Sequence, residues 1–114
     1  FQDKMVLCAS SAYEKKFYLN ENFEGLPQHV KDELKIMCVL FTEDVGGVLS
    51  LEFDENGNLE LNTSADEGDL LYDEIGSVLK IKQMQQEKQE LFESLETYYK
   101  VFFLGEDLED DNGD

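Results

Sequence analysis

The stretch VLSLEFDENGNLELNT, residues 48–63, decides the fold. At its centre, Asp54-Glu55-Asn56-Gly57-Asn58 reads either as a calcium loop or as a turn. A calcium loop of the EF-hand type needs oxygen ligands at its first, third and fifth positions, glycine at the sixth and glutamate at the twelfth. Counted from Asp54, Asn56 and Asn58 fit, but the sixth position is Leu59 and the twelfth is Ala65. The flanks also alternate with period two, as strands do and helices do not. A hairpin with Glu55, Asn56 and Gly57 as its loop sets Phe53 opposite Leu59, Leu51 opposite Leu61 and Leu49 opposite Thr63. The apolar residues of both strands then share one face. A two-residue Asn-Gly turn would set Phe53 against Glu60 and mix the faces. Asp54 suits the opening of the longer turn, and Gly57 its left-handed bulge position. No metal is expected here.

Upstream, MVLCAS and YEKKFYL predict a first strand pair around Ser10-Ser11-Ala12. Pro27 suits the first turn of a helix. Val30, Leu34, Met37, Cys38, Phe41 and Val45 then recur at helical spacing until Gly46-Gly47 ends the run. Ile36, Val39 and Leu40 widen this stripe beyond what one sheet face needs. Downstream, Ser64 or Asp66 is suited to cap a second helix, with Glu67 and Asp69 near its positive end. Residues 69–104 contain no proline and only one glycine, Gly76. Their stripe is Leu71, Ile75, Val78 and Ile81, then the polar gap KQMQQEKQE, then Phe92, Leu95, Tyr99 and Phe102. The order ββαββα predicts an α+β fold, an antiparallel sheet built from two β-hairpins with two helices on one face, the second helix long. Residues 1–105 form one domain, and residues 106–114 an acidic C-terminal tail.

A single helix over residues 69–104 would span about 54 Å at 1.5 Å per residue. A domain of this length has a radius of gyration of about 13 Å, so such a helix overhangs its own fold. Its far half carries Leu91, Phe92, Leu95, Tyr98, Tyr99, Phe102 and Phe103. An exposed aromatic patch of that size marks an interface, and a two-fold homodimer is its commonest solution. The competing arrangement breaks the helix within residues 82–90 and folds the second half back on the sheet.

Charge and composition exclude several functions. The 114 residues hold 27 acids and 9 bases, all nine of them Lys, for a net charge of −18. Bidentate phosphate and base recognition lean on Arg, and a polyanion repels this chain; no direct nucleic-acid binding is expected. Residues 43–74 carry many of the acids and no base. They form a solvated face or a docking surface for a basic partner. With 41% apolar residues, the chain is too hydrophobic to be disordered. No run of 18 apolar residues is present and no signal peptide precedes the domain, so a soluble cytoplasmic protein without membrane contact is expected. Cys8 and Cys38 sit in apolar surroundings and read as buried free thiols.

Candidate chemistry is thin. Cys8-Ala9-Ser10-Ser11 has the spacing of a CxxS redox motif, but the segment after it is strand-like and not the helix such a motif needs. The lone His29 falls in an exposed first helical turn, so a Cys8–His29–acid triad is disfavoured. The carboxylates of Asp66, Glu67, Asp69, Asp73 and Glu74 suit a helix start without any metal. No phosphate or dinucleotide glycine pattern occurs, and neither a cofactor nor an enzymatic activity is expected.

The segments CASSAYEKKFY, LFTEDVGGVLSLEFDENGNLE and DEIGSVLKIKQ resemble a family of short acidic bacterial proteins that forms a domain of unknown function. The resemblance spans residues 5 to 105. It implies a stand-alone cytoplasmic bacterial protein and carries no catalytic residues. The expected function is a non-enzymatic protein–protein interaction module that self-associates through its C-terminal helix. The alternative is an acidic inhibitor, an immunity protein or nucleic-acid mimic, that blocks a basic partner. A weaker option is a small-molecule binder near Tyr98, Tyr99 and Phe103.

Overall fold

The computed structural model describes residues 4–106. Apart from Glu106, the acidic tail lies outside them. Within them the chain is a mixed α+β structure, a four-stranded antiparallel sheet with three α-helices. The strands are β1 (Met5–Ser11), β2 (Lys16–Leu19), β3 (Val48–Phe53) and β4 (Leu59–Ser64), in the order β2-β1-β3-β4. The helices are α1 (Gln28–Val45), α2 (Glu74–Glu87) and α3 (Gln89–Phe102).

The second hairpin has the register expected from its alternation. Phe53 pairs with Leu59, Leu51 with Leu61 and Leu49 with Thr63. Leu49, Leu51 and Phe53 are fully buried, because this face of the sheet meets the helices. The partner face carries Ser50, Glu52, Glu60 and Asn62, which keeps water as its solvent. The turn is held by one carboxylate: Asp54 Oδ1 accepts from the backbone N–H of Asn56 and of Asn58, each at 2.9 Å. Gly57 closes it at φ 86°, a conformation that disfavours a Cβ. These hydrogen bonds, that of Asn58 foremost, hold the Asp54 carboxyl below its usual pKa. Because the folded value is the lower one, the stabilisation is complete above the ordinary carboxylate pKa of about 4 and is lost as pH falls through the folded value. Asp54→Ala is expected to lower stability by about 1 kcal/mol, the ordinary cost of a lost cap. Asp54→Asn, which keeps an acceptor, should cost less and flatten the acid limb. Urea titrations at neutral and acid pH check both.

Helix α1 follows Pro27 and ends where Gly46 and Gly47 take positive φ. It packs on β1, β2 and β3 through Leu34, Met37, Cys38, Phe41 and Val45. At the centre, Ser10 and Thr42 share a buried hydroxyl–hydroxyl hydrogen bond of 2.8 Å. A register shift between Val6 and Cys8 lets Leu7 as well as Cys8 reach the core.

The C-terminal half departs from the expected single helix. Neither Ser64 nor Asp66 caps it: Ser64 ends β4, and the loop after it is tied down elsewhere. The Tyr13 hydroxyl donates to Asp69 and accepts from the Asp66 N–H, while the Asp73 N–H donates to Val45 O. The helix therefore starts only at Glu74, with Asp73 Oδ1 accepting from the Gly76 N–H at 2.8 Å. It breaks again at Lys88, whose φ −109° and ψ 22° leave the helical region. No proline or glycine stands at the bend. The bend instead brings Phe92, Leu95 and Tyr99 into the core, where each is buried. Burial of three such side chains, at about 1.5–3 kcal/mol each, outweighs one bent residue in a polar segment.

Candidate functional site: the α1–α2 face

Six of the seven aromatic and apolar residues expected to overhang pack into or against the protein's own core. Phe92, Leu95 and Tyr99 are core residues, and Leu91, Tyr98 and Phe103 pack half-buried against them. The Tyr99 ring stacks on Phe53 at 4.3 Å between centroids, and Phe103 stacks on Phe23 at 4.9 Å. Only Phe102, 70% exposed, keeps the surface position expected of it. Near Tyr98, Tyr99 and Phe103 the rings pack on one another and on Phe23.

Among the described residues, Cys8 and His29 are not brought together. Cys8 Sγ lies 3.9 Å from Cys38 Sγ; both are free and fully buried. The hydrogen bond to Cys38, followed by burial, pushes the Cys8 thiol pKa well up, so the thiolate is suppressed. His29 is exposed at the start of α1, away from this buried pair. Ser11 Oγ accepts from the Glu14 N–H and Ser10 is committed to Thr42. Among the described residues no group of three or more His, Cys, Asp and Glu side chains is placed to hold a metal. Asp69 is held below its ordinary pKa chiefly by the Tyr13 hydroxyl, and Asp73 serves as a cap. Both thiols should stay unreactive toward a disulfide reagent such as Ellman's until the protein is unfolded. Stoichiometric reaction of the native protein at the rate of free cysteine would contradict this geometry.

What the structure does expose is the other half of the C-terminal stripe. Helix α2 runs antiparallel to α1, tied by Lys80–Asp44 at 2.6 Å and Lys88–Glu33 at 2.8 Å. Ser77 is its one buried residue. At 100° per residue, Ile75 and Leu79 stand nearly opposite Ser77, on the outer face. They are 76% and 62% exposed, and Leu70 and Leu71 beside them more than 90%. Leu71, Ile75 and Val78, read from the sequence as core, are surface residues. Between the two helices lies an open cleft of about 910 Å³, with Met37, Phe41 and Met84 along it. Ile36 and Leu40 line it too, each 59% exposed.

Carboxylates surround this apolar surface. Asp32, Glu33, Glu43, Asp44 and Glu87 line the cleft, and its two lysines, Lys80 and Lys88, are the ones already paired. On the other side of α2, Asp66, Glu67, Asp69, Asp73 and Glu74 line a second depression with no base among its residues. The sequence held a signal for this face. Ile36 and Leu40 exceed what α1 needs to cover a sheet, and Leu70 and Leu79 fall outside the α2 stripe.

A family model covering residues 4–107, from the start of β1 past the end of α3, matches this sequence. The chain belongs to a family of unknown function (DUF6145). The matched region includes the whole α1–α2 face as well as the sheet. No curated protein and no solved structure matches the chain. Among the described residues no helix is long and apolar enough to cross a membrane.

Proposed function

We propose that this protein is a non-enzymatic interaction module of the cytoplasm, which binds a basic partner through the α1–α2 face. The observation that carries this reading is the set of exposed aliphatic side chains, Ile36, Leu40, Leu70, Leu71, Ile75 and Leu79, near carboxylates of which several have no basic partner among the described residues. Exposed aliphatic side chains beside a polar rim are the ordinary form of an interface. The buried free thiols of Cys8 and Cys38 are in keeping with a reducing compartment. An inhibitor acting as a nucleic-acid mimic draws on the same charge but gives no role to the aliphatic residues. Self-association through the C-terminal helix loses its physical support, because that helix supplies the protein's own core.

Affinity capture from source cells tests the reading, with the wild-type protein and an Ile75→Lys/Leu79→Lys variant as baits. Both positions are exposed, so the double substitution should leave the fold intact, each change falling within about 0.5 kcal/mol. The expected result is a protein, identified by mass spectrometry, that the wild type retains and the variant loses. An identical set of captured proteins for both baits would remove the α1–α2 face from the function.

A further inference from the structure

We infer that the occupant of the α1–α2 face is a cationic amphipathic helix of a different protein, and not a second copy of this chain. The inference rests on the interaction reading above and names the chemistry of its partner. The shape of the surface comes first. Ile36 and Leu40, which line the cleft on α1, and Ile75 and Leu79, on the outer face of α2 beside it, are pairs four residues apart on two antiparallel helices. Such pairs form ridges that interdigitate with side chains at helical spacing on a third helix. Helix α2, with 14 residues, offers about 21 Å of length, or four turns.

Charge selects among helices. Asp32, Glu43 and Glu87 along the cleft have no basic partner among the described residues, and nor do Asp66, Glu67 and Glu74 beyond α2. A helix with Lys or Arg flanking its apolar stripe neutralises both rims at once and is steered to the face before contact. A second copy of the chain brings a charge of −18. Across a two-fold axis it would set these same carboxylates against each other. A small molecule in the cleft would leave Ile75, Leu79, Leu70 and Leu71 uncovered, since none of them lines it.

The test uses a fluorescent synthetic peptide of about 18 residues, with Leu at helical i, i+3, i+4, i+7 spacing and Lys elsewhere. A peptide of identical composition, scrambled to abolish the apolar face, is the control. Anisotropy titrations are run against the whole protein, the Ile75→Lys/Leu79→Lys variant and an Ile36→Lys/Leu40→Lys variant, with circular dichroism confirming the fold of each. Binding by the patterned peptide, at least about tenfold weaker for the scrambled one and for each variant, is the expected result. It should weaken further as salt is raised, because the rims are solvent-exposed. Equal binding of the two peptides, indifference to both variants, or no binding at low salt each overturns the inference. So does light scattering that gives a dimer mass which the Ile75→Lys/Leu79→Lys variant returns to a monomer. Should the peptide fail while cell capture still yields a patch-dependent partner, the interaction reading stands and only the partner's chemistry is wrong.

Discussion

Replacing Phe53 by Ala is expected to lower the free energy of unfolding by about 3–5 kcal/mol, a large part of the stability of a domain this size. Phe53 is fully buried at the end of β3, with Phe23 at 5.7 Å and Tyr99 at 4.3 Å between ring centroids. Its ring thus joins three separate parts of the chain: the hairpin, the 3-10 turn Glu21–Phe23 and α3. Truncation removes the transfer energy of the ring and leaves a cavity among aromatic neighbours whose shapes relax poorly. Phe102→Ala supplies the contrast. That ring is exposed on the same helix as Tyr99 and should cost under about 1 kcal/mol. Guanidinium unfolding followed by circular dichroism measures both. Comparable losses at the two sites would mean that α3 does not lie on the sheet as described.

A second large effect is expected at Gly47, where α1 turns into β3. A Cβ there would overlap the Ser64 carbonyl oxygen and stand 2.8 Å from the Tyr72 ring. The backbone is also in the left-handed region, at φ 71°. The oxygen belongs to the neighbouring strand β4, so it yields only by distorting the sheet. Together, conformational cost and collision should make Gly47→Ala destabilising by about 2–3 kcal/mol. Gly68 isolates the first of these causes: its φ is 83°, but nothing lies within 4 Å of its Cβ position. Gly68→Ala should therefore cost only about 1 kcal/mol. Equal losses for the two glycines in thermal denaturation would rule out the close approach of β4 to Gly47.

Much of the N-terminal two thirds was legible because local and global preferences agree there. Alternation in residues 48–63, with Asp54 and Gly57 placed as their turn requires, admits one register that buries Leu49, Leu51 and Phe53 together. Pro27 and the Gly46-Gly47 pair bound α1 for backbone reasons that need no tertiary partner. The free state and burial of Cys8 and Cys38 followed from their apolar neighbours, although their approach to 3.9 Å did not.

The candidate site was legible only as a surplus. Ile36 and Leu40 widened a stripe, but width alone does not say whether the excess meets a helix or water. Likewise Leu71, Ile75 and Val78 have the spacing of a buried face, and the amino-acid types are those of a core. The structure leaves them outside because α2 rests on α1 through Ser77 and flanking half-buried residues such as Ile81 and Met84.

By itself, the sequence determined the hairpins, the single-sided sheet and the extent of α1, since each rests on a periodicity or a backbone constraint read within a few residues. The tertiary structure alone decided the C-terminal half. Ser77, Ile81, Met84, Lys88, Phe92, Leu95 and Tyr99 succeed one another every three or four residues across the polar gap, so the helical spacing continues through it and locally reads as one straight helix. Only the position of Phe23 and Phe53 at the end of the sheet makes a bend at Lys88 favourable, because there a straight helix would hold Phe92, Leu95 and Tyr99 in water. Helical periodicity tells which side of a helix is buried; where along its length the helix must bend depends on the shape of the core beneath it.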